Sequence, residues 1–145
     1  PEIHASGWQE ARDFREFALI QPGAPGLSAD GRTLLAALVR WAGSREVRVC
    51  YSLPWACVEP AVIEEFRRTS ASFLRDVAAL VPVIKDPALG VHAVREHFSD
   101  TGWHLTPAGA RVRTDALAAQ LAAGEFWSLA ELDAWKSRRE RSDTR

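Results

Sequence analysis

The stretch His97-Phe98-Ser99-Asp100-Thr101-Gly102-Trp103-His104-Leu105-Thr106-Pro107 brings an acid, two histidines and a tryptophan together just ahead of a segment that reads as a helix. Histidine is the side chain suited to accept and return a proton near neutrality, and a neighbouring carboxylate orients the ring and stabilises the imidazolium. His104 is therefore the candidate general base and Asp100 its candidate orienting acid; a surface or helix-capping pair is the plain alternative at this spacing. Trp103 is a candidate wall of a substrate pocket, because aromatic faces exclude water and suit sugar rings and acyl chains, with ordinary packing as the alternative.

Other chemistry-bearing residues have weaker patterns. Ser52 stands at a strand end near Pro54 but lacks the Gly-x-Ser-x-Gly elbow that exposes a nucleophile, so a packed or hydrogen-bonded serine is the simpler reading. His92, His97, Asp100 and His104 have neither the His-Glu-x-x-His spacing nor a structural zinc pattern, and no metal or other cofactor is expected. Cys50 and Cys57 are too far apart for a CxxC pair and too few for a disulfide framework. Cys50, inside an apolar run, reads as a small buried hydrophobe. Trp41, Trp55, Trp127 and Trp135 fall mostly on apolar faces and are expected in the core.

The elements that must position these residues come from a chain of 145 residues and 16.0 kDa, 47% hydrophobic and 26% charged, enough for one modest core. Its 18 basic and 19 acidic residues give a formal net charge of -1, so no overall positive field draws a phosphate backbone or an anionic membrane, and nucleic acid is not an expected partner. No apolar run approaches the roughly 20 residues of a membrane-spanning helix, and Pro1-Glu2-Ile3-His4 does not open a signal peptide. No pattern fixes a compartment. The chain contains no Met, and hence no start residue, which leads to the expectation that it was cut from a longer protein.

Three parts are expected: an irregular segment 1–27 with a short helix at 8–17, an α/β portion 28–124, and a terminal amphipathic helix with an Arg-rich tail at 125–145. In the second, Ser28 or Asp30 caps a helix carrying Leu34, Leu35, Leu38, Trp41 and Ala42, and Gly43 closes it. The alternation Val47, Val49, Tyr51, Leu53 predicts a strand over 46–53 that stops at Pro54. Pro60 starts a helix with an apolar stripe from Val62 to Val77, and Val81-Pro82-Val83-Ile84 predicts a second strand. Thr106 caps a helix with Pro107 first, an expected inner stripe of Val112, Leu117 and Leu121, and Gly124 as its stop. Ser128-Leu129-Ala130-Glu131 matches a capping box that opens a last helix with Leu129, Leu132 and Trp135 inside. Alternating strands and helices predict right-handed crossovers and a parallel sheet covered on both faces. Two or three strands leave open edges, so the chain reads as one half of an α/β domain.

Phe98-Ser99-Asp100-Thr101-Gly102-Trp103-His104-Leu105-Thr106-Pro107-Ala108-Gly109-Ala110-Arg111 resembles the last conserved block of the SGNH or GDSL-type hydrolases, especially bacterial members reading Asp-Thr-x-aromatic-His-Leu. Val47 to Pro54 is similar to the penultimate strand and its Pro-terminated loop in that group, and the resemblance spans residues 28–122. It implies a flavodoxin-like three-layer α/β/α sandwich with a parallel sheet, of which this chain is the C-terminal portion. It also implies ester hydrolysis or acyl transfer, often on carbohydrate acyl groups, by a Ser-His-Asp triad, with His104 as base and Asp100 as acid. Asp100 and His104 have three residues between them where the family commonly has two. The family's Gly-Asp-Ser block does not occur, nor does any Asn for its oxyanion hole. The nucleophile would then lie on a missing N-terminal segment, with that segment or self-association covering the open flank. The alternative is a noncatalytic module that binds a glycan or a protein partner.

Overall fold

The computed structural model describes residues 22–23 and 26–137, so the helix expected at 8–17 and the tail 138–145 lie outside the described residues. Helix α1 (Ala29–Gly43) begins where Ser28 turns its hydroxyl to the Gly31 amide, 3.0 Å away, satisfying one of the unpaired donors of the first turn. Its expected inner face is divided. Ala42 is buried and Leu35 and Val39 pack on the core, whereas Leu34, Leu38 and Trp41 are exposed.

A 3-10 turn (Pro60–Val62) leads into α2 (Ile63–Ala78), Pro60 taking a first-turn position where its missing N–H is no loss. Phe66, Ser70, Ala71, Leu74 and Val77 lie on its buried face, as a 3.6-residue period requires. Leu74 and Val77 join Val81, Val83, Leu89 and Leu132 in the main core, each such burial stabilising by about 1.5–3 kcal/mol. A smaller cluster of Ala56, Val58 and Phe66 lies beneath the loop that carries the site, tied to it where the Cys57 amide donates to Gly102 O at 2.9 Å.

Helix α3 (Pro107–Ala123) starts at the Thr106 cap, with Pro107 first, and stops at Gly124, whose φ of 66° is the left-handed conformation glycine adopts without penalty. The expected stripe does not hold here: Val112 and Leu121 are exposed, and the buried positions are Gly109 and Arg113, one turn apart. Helix α4 (Leu129–Ser137) opens on the Ser128–Glu131 box, in which the Ser128 amide donates to Glu131 Oε2 at 2.9 Å and the Glu131 amide to Ser128 Oγ at 3.2 Å. Leu132 is buried and Trp135 packs on the core, while Leu129 stays exposed. The helix packs on α2.

The flavodoxin-like α/β/α sandwich and its parallel sheet are not formed: the structure is 54% helix and 9% strand or bridge, and its extended segments meet only at isolated bridges among the described residues. Tyr51 pairs in parallel with Val83, its amide donating to Pro82 O at 2.9 Å and its carbonyl accepting from Ile84 N at 2.8 Å. Ile84 pairs antiparallel with Phe126. The ladder has little room to grow, because Pro82 has no N–H to donate and Pro54 ends the first segment. The expected period-two alternation holds only in part: Val49, Tyr51 and Leu53 lie against the core with Arg48 and Cys50 in solvent, but Val47 is exposed. Cys50 is thus exposed, and Cys57 is the buried cysteine.

Glu131 also accepts from Lys85 Nζ at 2.5 Å, and the Lys85 and Ser128 donors hold its carboxyl down to about 2 from 4.5. A carboxylate depressed in the folded state adds stability that is complete above its unfolded value and is lost as pH falls from 4.5 toward 2. Thermal melts across that window should show a steeper fall in Tm for the wild type than for Glu131→Gln, with the two curves parallel at neutral pH. Among the described residues no helix is long and apolar enough to cross a membrane.

Candidate active site

The residues singled out above stand on a short hairpin-like loop closed by the antiparallel bridge of Phe98 with Leu105. Its two closing bonds are Ser99 N to His104 O at 2.8 Å and Thr106 N to His97 O at 2.9 Å. Phe98, fully buried, anchors it from below. Arg95, in a second 3-10 turn (Arg95–His97), clamps it from behind by donating to Phe98 O at 2.7 Å and to Ser99 O at 3.2 Å. At the tip the Thr101 hydroxyl accepts from the Trp103 and His104 amides, both at 3.3 Å, which folds the chain back on itself.

That reversal carries His104 Nδ1 to 2.8 Å from Asp100 Oδ1, both side chains being 61% exposed. The Ser99 hydroxyl sits 3.0 Å from the same carboxylate oxygen. The His104 and Ser99 bonds hold the Asp100 carboxyl below its usual range, so it is ionised throughout the neutral region. With the carboxylate as acceptor, Nδ1 carries the ring hydrogen of the neutral imidazole and Nε2 presents its lone pair. The loop thus brings together the acid and the base across a turn. It does so without the shorter spacing, because the reversal at Thr101 to Gly102 supplies the approach.

Trp103 lies beside them, 41% exposed, with its ring 6.2 Å from that of Phe66. Trp127 and Trp135 pack on the core, while Trp41 is exposed with the Arg45 guanidinium 4.4 Å over its ring. Ser52 belongs to a different cluster: its hydroxyl accepts from Arg113 Nη2 at 2.5 Å, and the same nitrogen donates to Leu53 O at 2.6 Å. Arg113 is only 7% exposed, and burial pulls its guanidinium below its ordinary range. No serine hydroxyl among the described residues is hydrogen-bonded to the His104 imidazole, whose bond is to Asp100.

The four residues weighed as a metal cluster separate into two pairs, His92 with His97 and Asp100 with His104. Among the described residues no group of three or more His, Cys, Asp or Glu side chains is placed to hold a metal ion. Three contributors were not visible in the residue pattern: Ser99, Arg95 and Arg113. Ser99 could have been found from its position next to Asp100, since a neighbouring hydroxyl commonly bonds a carboxylate. Arg113 carried a subtler signal, standing one turn beyond Gly109 on the face the helix buries. Comparisons with known protein families, with curated proteins and with solved structures find no match.

Proposed function

We propose that the 98–105 loop supplies the general base and orienting acid of an ester hydrolase or acyltransferase, acting on an ester such as an O-acyl carbohydrate, with a nucleophilic serine from polypeptide outside these residues. The observation that carries this reading is the 2.8 Å contact of His104 Nδ1 with an ionised Asp100, which leaves Nε2 as the basic nitrogen. The serine Oγ attacks the acyl carbon as its proton passes to Nε2, and the alkoxide leaves with that proton. Water, or an acceptor hydroxyl, then gives its proton to the same nitrogen as it attacks the acyl-serine, and the serine recovers its hydrogen. Asp100 holds the ring in one tautomer and stabilises the imidazolium formed in each half. Trp103 offers a flat apolar face beside the base for an acyl chain or sugar ring.

The absence of a serine hydroxyl on the His104 imidazole among the described residues favours a second reading, in which the loop is part of a noncatalytic module and Trp103 contacts a glycan or a protein partner. The two separate in one experiment. Residues 1–145 alone should neither hydrolyse p-nitrophenyl acetate above the buffer rate nor react with a fluorophosphonate probe. The product of the complete reading frame should do both, with the labelled serine outside this chain. Labelling of Ser52 in residues 1–145 would overturn the placement of the nucleophile. A complete product with no turnover and no labelled serine would overturn the enzyme and leave the binding module.

A further inference from the structure

Two histidines outside the Asp100–His104 pair face one another. His92 Nε2 and His97 Nδ1 are 2.7 Å apart, and the two rings lie edge to edge in nearly one plane, with centroids 5.0 Å apart and 6° between planes. The His92 ring also lies flat on Trp55, at 3.9 Å and 8°, and Phe98 tilts against it at 5.9 Å. A contact of this length requires one nitrogen with its hydrogen and one without. A neutral or singly protonated pair meets that requirement. A doubly protonated pair does not: two N–H groups and two like charges would oppose each other.

The surroundings add to the second proton's difficulty. Arg113 of α3 lies 5.3 Å over Trp55, and Arg95 and Glu96 share the 3-10 turn with His97. Asp86 is the carboxylate on the far segment, already accepting from the Ala88 and Gly90 amides at 2.9 and 3.1 Å. Burial first, then the charges of His97 and Arg113, push the His92 imidazole below its ordinary range, with Asp86 opposing them. The pair is also a footing for the loop. His92 N donates to Ala56 O at 3.0 Å, and His97 O accepts from Thr106 N at 2.9 Å, next to the Phe98–Leu105 bridge.

We propose that His92 and His97 form an acid-sensitive latch, which fastens the 95–97 turn to the 91–92 segment while at least one imidazole is neutral and lets go when both are protonated, loosening the base of the 98–105 loop. That the loosened loop would also disable a general base rests on the ester-hydrolysis reading; the latch itself does not. The sign follows from the loss of the contact once both rings carry a second proton. Its contribution to stability is complete above the histidine range and is lost as pH falls through it.

Amide hydrogen exchange of residues 1–145, followed by NMR, reads the latch directly at Ser99 and Thr106, whose amides close the loop. Between about pH 7.5 and about pH 5, protection corrected for intrinsic exchange should fall by about tenfold or more in the wild type. It should stay level in His92→Phe, which keeps a flat ring on Trp55 without a proton to gain. His92→Gln, whose amide serves His97 in either protonation state, should also stay level, and it alone decides if the phenylalanine variant does not fold. His104→Gln should keep the fall, because the dyad is not the latch. Level protection in the wild type, an undiminished fall in the His92 variants, or loss of the fall in His104→Gln would each overturn the proposal. Exchange is read without substrate, so the fall in residues 1–145 together with a complete product that neither turns over ester nor carries a labelled serine sinks the ester reading alone.

Discussion

Replacing His104 with alanine in the complete protein should lower ester turnover by about 10² to 10⁴-fold, the range that a positioned general base contributes. The fold should be kept, because the bonds His104 makes to Ser99 and Thr101 run through its backbone and survive the substitution. Asp100→Asn should be less damaging. At 61% exposure water also solvates the Nδ1 hydrogen, so the carboxylate is a helper in orienting the ring and not its sole partner. The wild-type kcat/KM should rise with pH as the base loses its proton, and that acid limb should vanish in His104→Ala. Asp100 cannot be its source, since its depressed carboxyl is ionised before a histidine titrates. A pH-rate profile with circular dichroism on each variant makes the check, and near wild-type turnover in His104→Ala would refute the role of base.

Gly109→Ala should be the most disruptive single substitution for the fold around the site. A Cβ on Gly109 would stand 2.2 Å from His97 O and 2.9 Å from both His97 C and His97 Cβ. Those first two atoms are backbone, held by the Thr106 amide and by the following bridge, so they cannot swing aside as the end of a long side chain would. Either the first turn of α3 lifts away or the 95–97 turn is displaced, for a destabilisation of about 3 kcal/mol. In a chain of this size that corresponds to a fall in Tm of roughly 10 °C. Gly43→Ala is the matched control: a Cβ there meets nothing within 4 Å, and the change should leave Tm level or slightly raised. Thermal melts of the two variants side by side decide the matter, and a Gly109→Ala protein as stable as the control would refute the steric account.

What could be read from the residues and what could not divides by the range of the interaction. Ser28, the Thr106-Pro107 start, Gly124 and the Ser128–Glu131 box act within four residues, so their meaning is present in the local sequence. Leu34, Leu38 and Trp41 repeat at helical spacing and do lie on α1, but spacing identifies an apolar face without saying whether anything arrives to cover it. The alternation of Val47 to Leu53 holds from Val49 onward, with Val47 exposed, yet a sheet is a property of partners, and Tyr51 meets Val83 at a single register. The Asp100–His104 pair was legible because both residues sit in one loop. The His92–His97 contact was not, because its geometry is created by the Ala56–Val91 bridge and the 3-10 turn, neither of which has a residue signature.

Arg113 reaches Ser52 and Leu53 across 61 and 60 residues of chain, and Lys85 reaches Glu131 across 46. Closing a loop of that length carries an entropic cost on the order of 4 kcal/mol, none of it recovered until the far contact is made. Contacts of such long sequence separation are the kind that slow folding. The hairpin bearing Asp100 and His104 lies inside the span that Arg113 closes, so the final surroundings of the dyad depend on a contact made across some sixty residues of chain as well as on its own local turn.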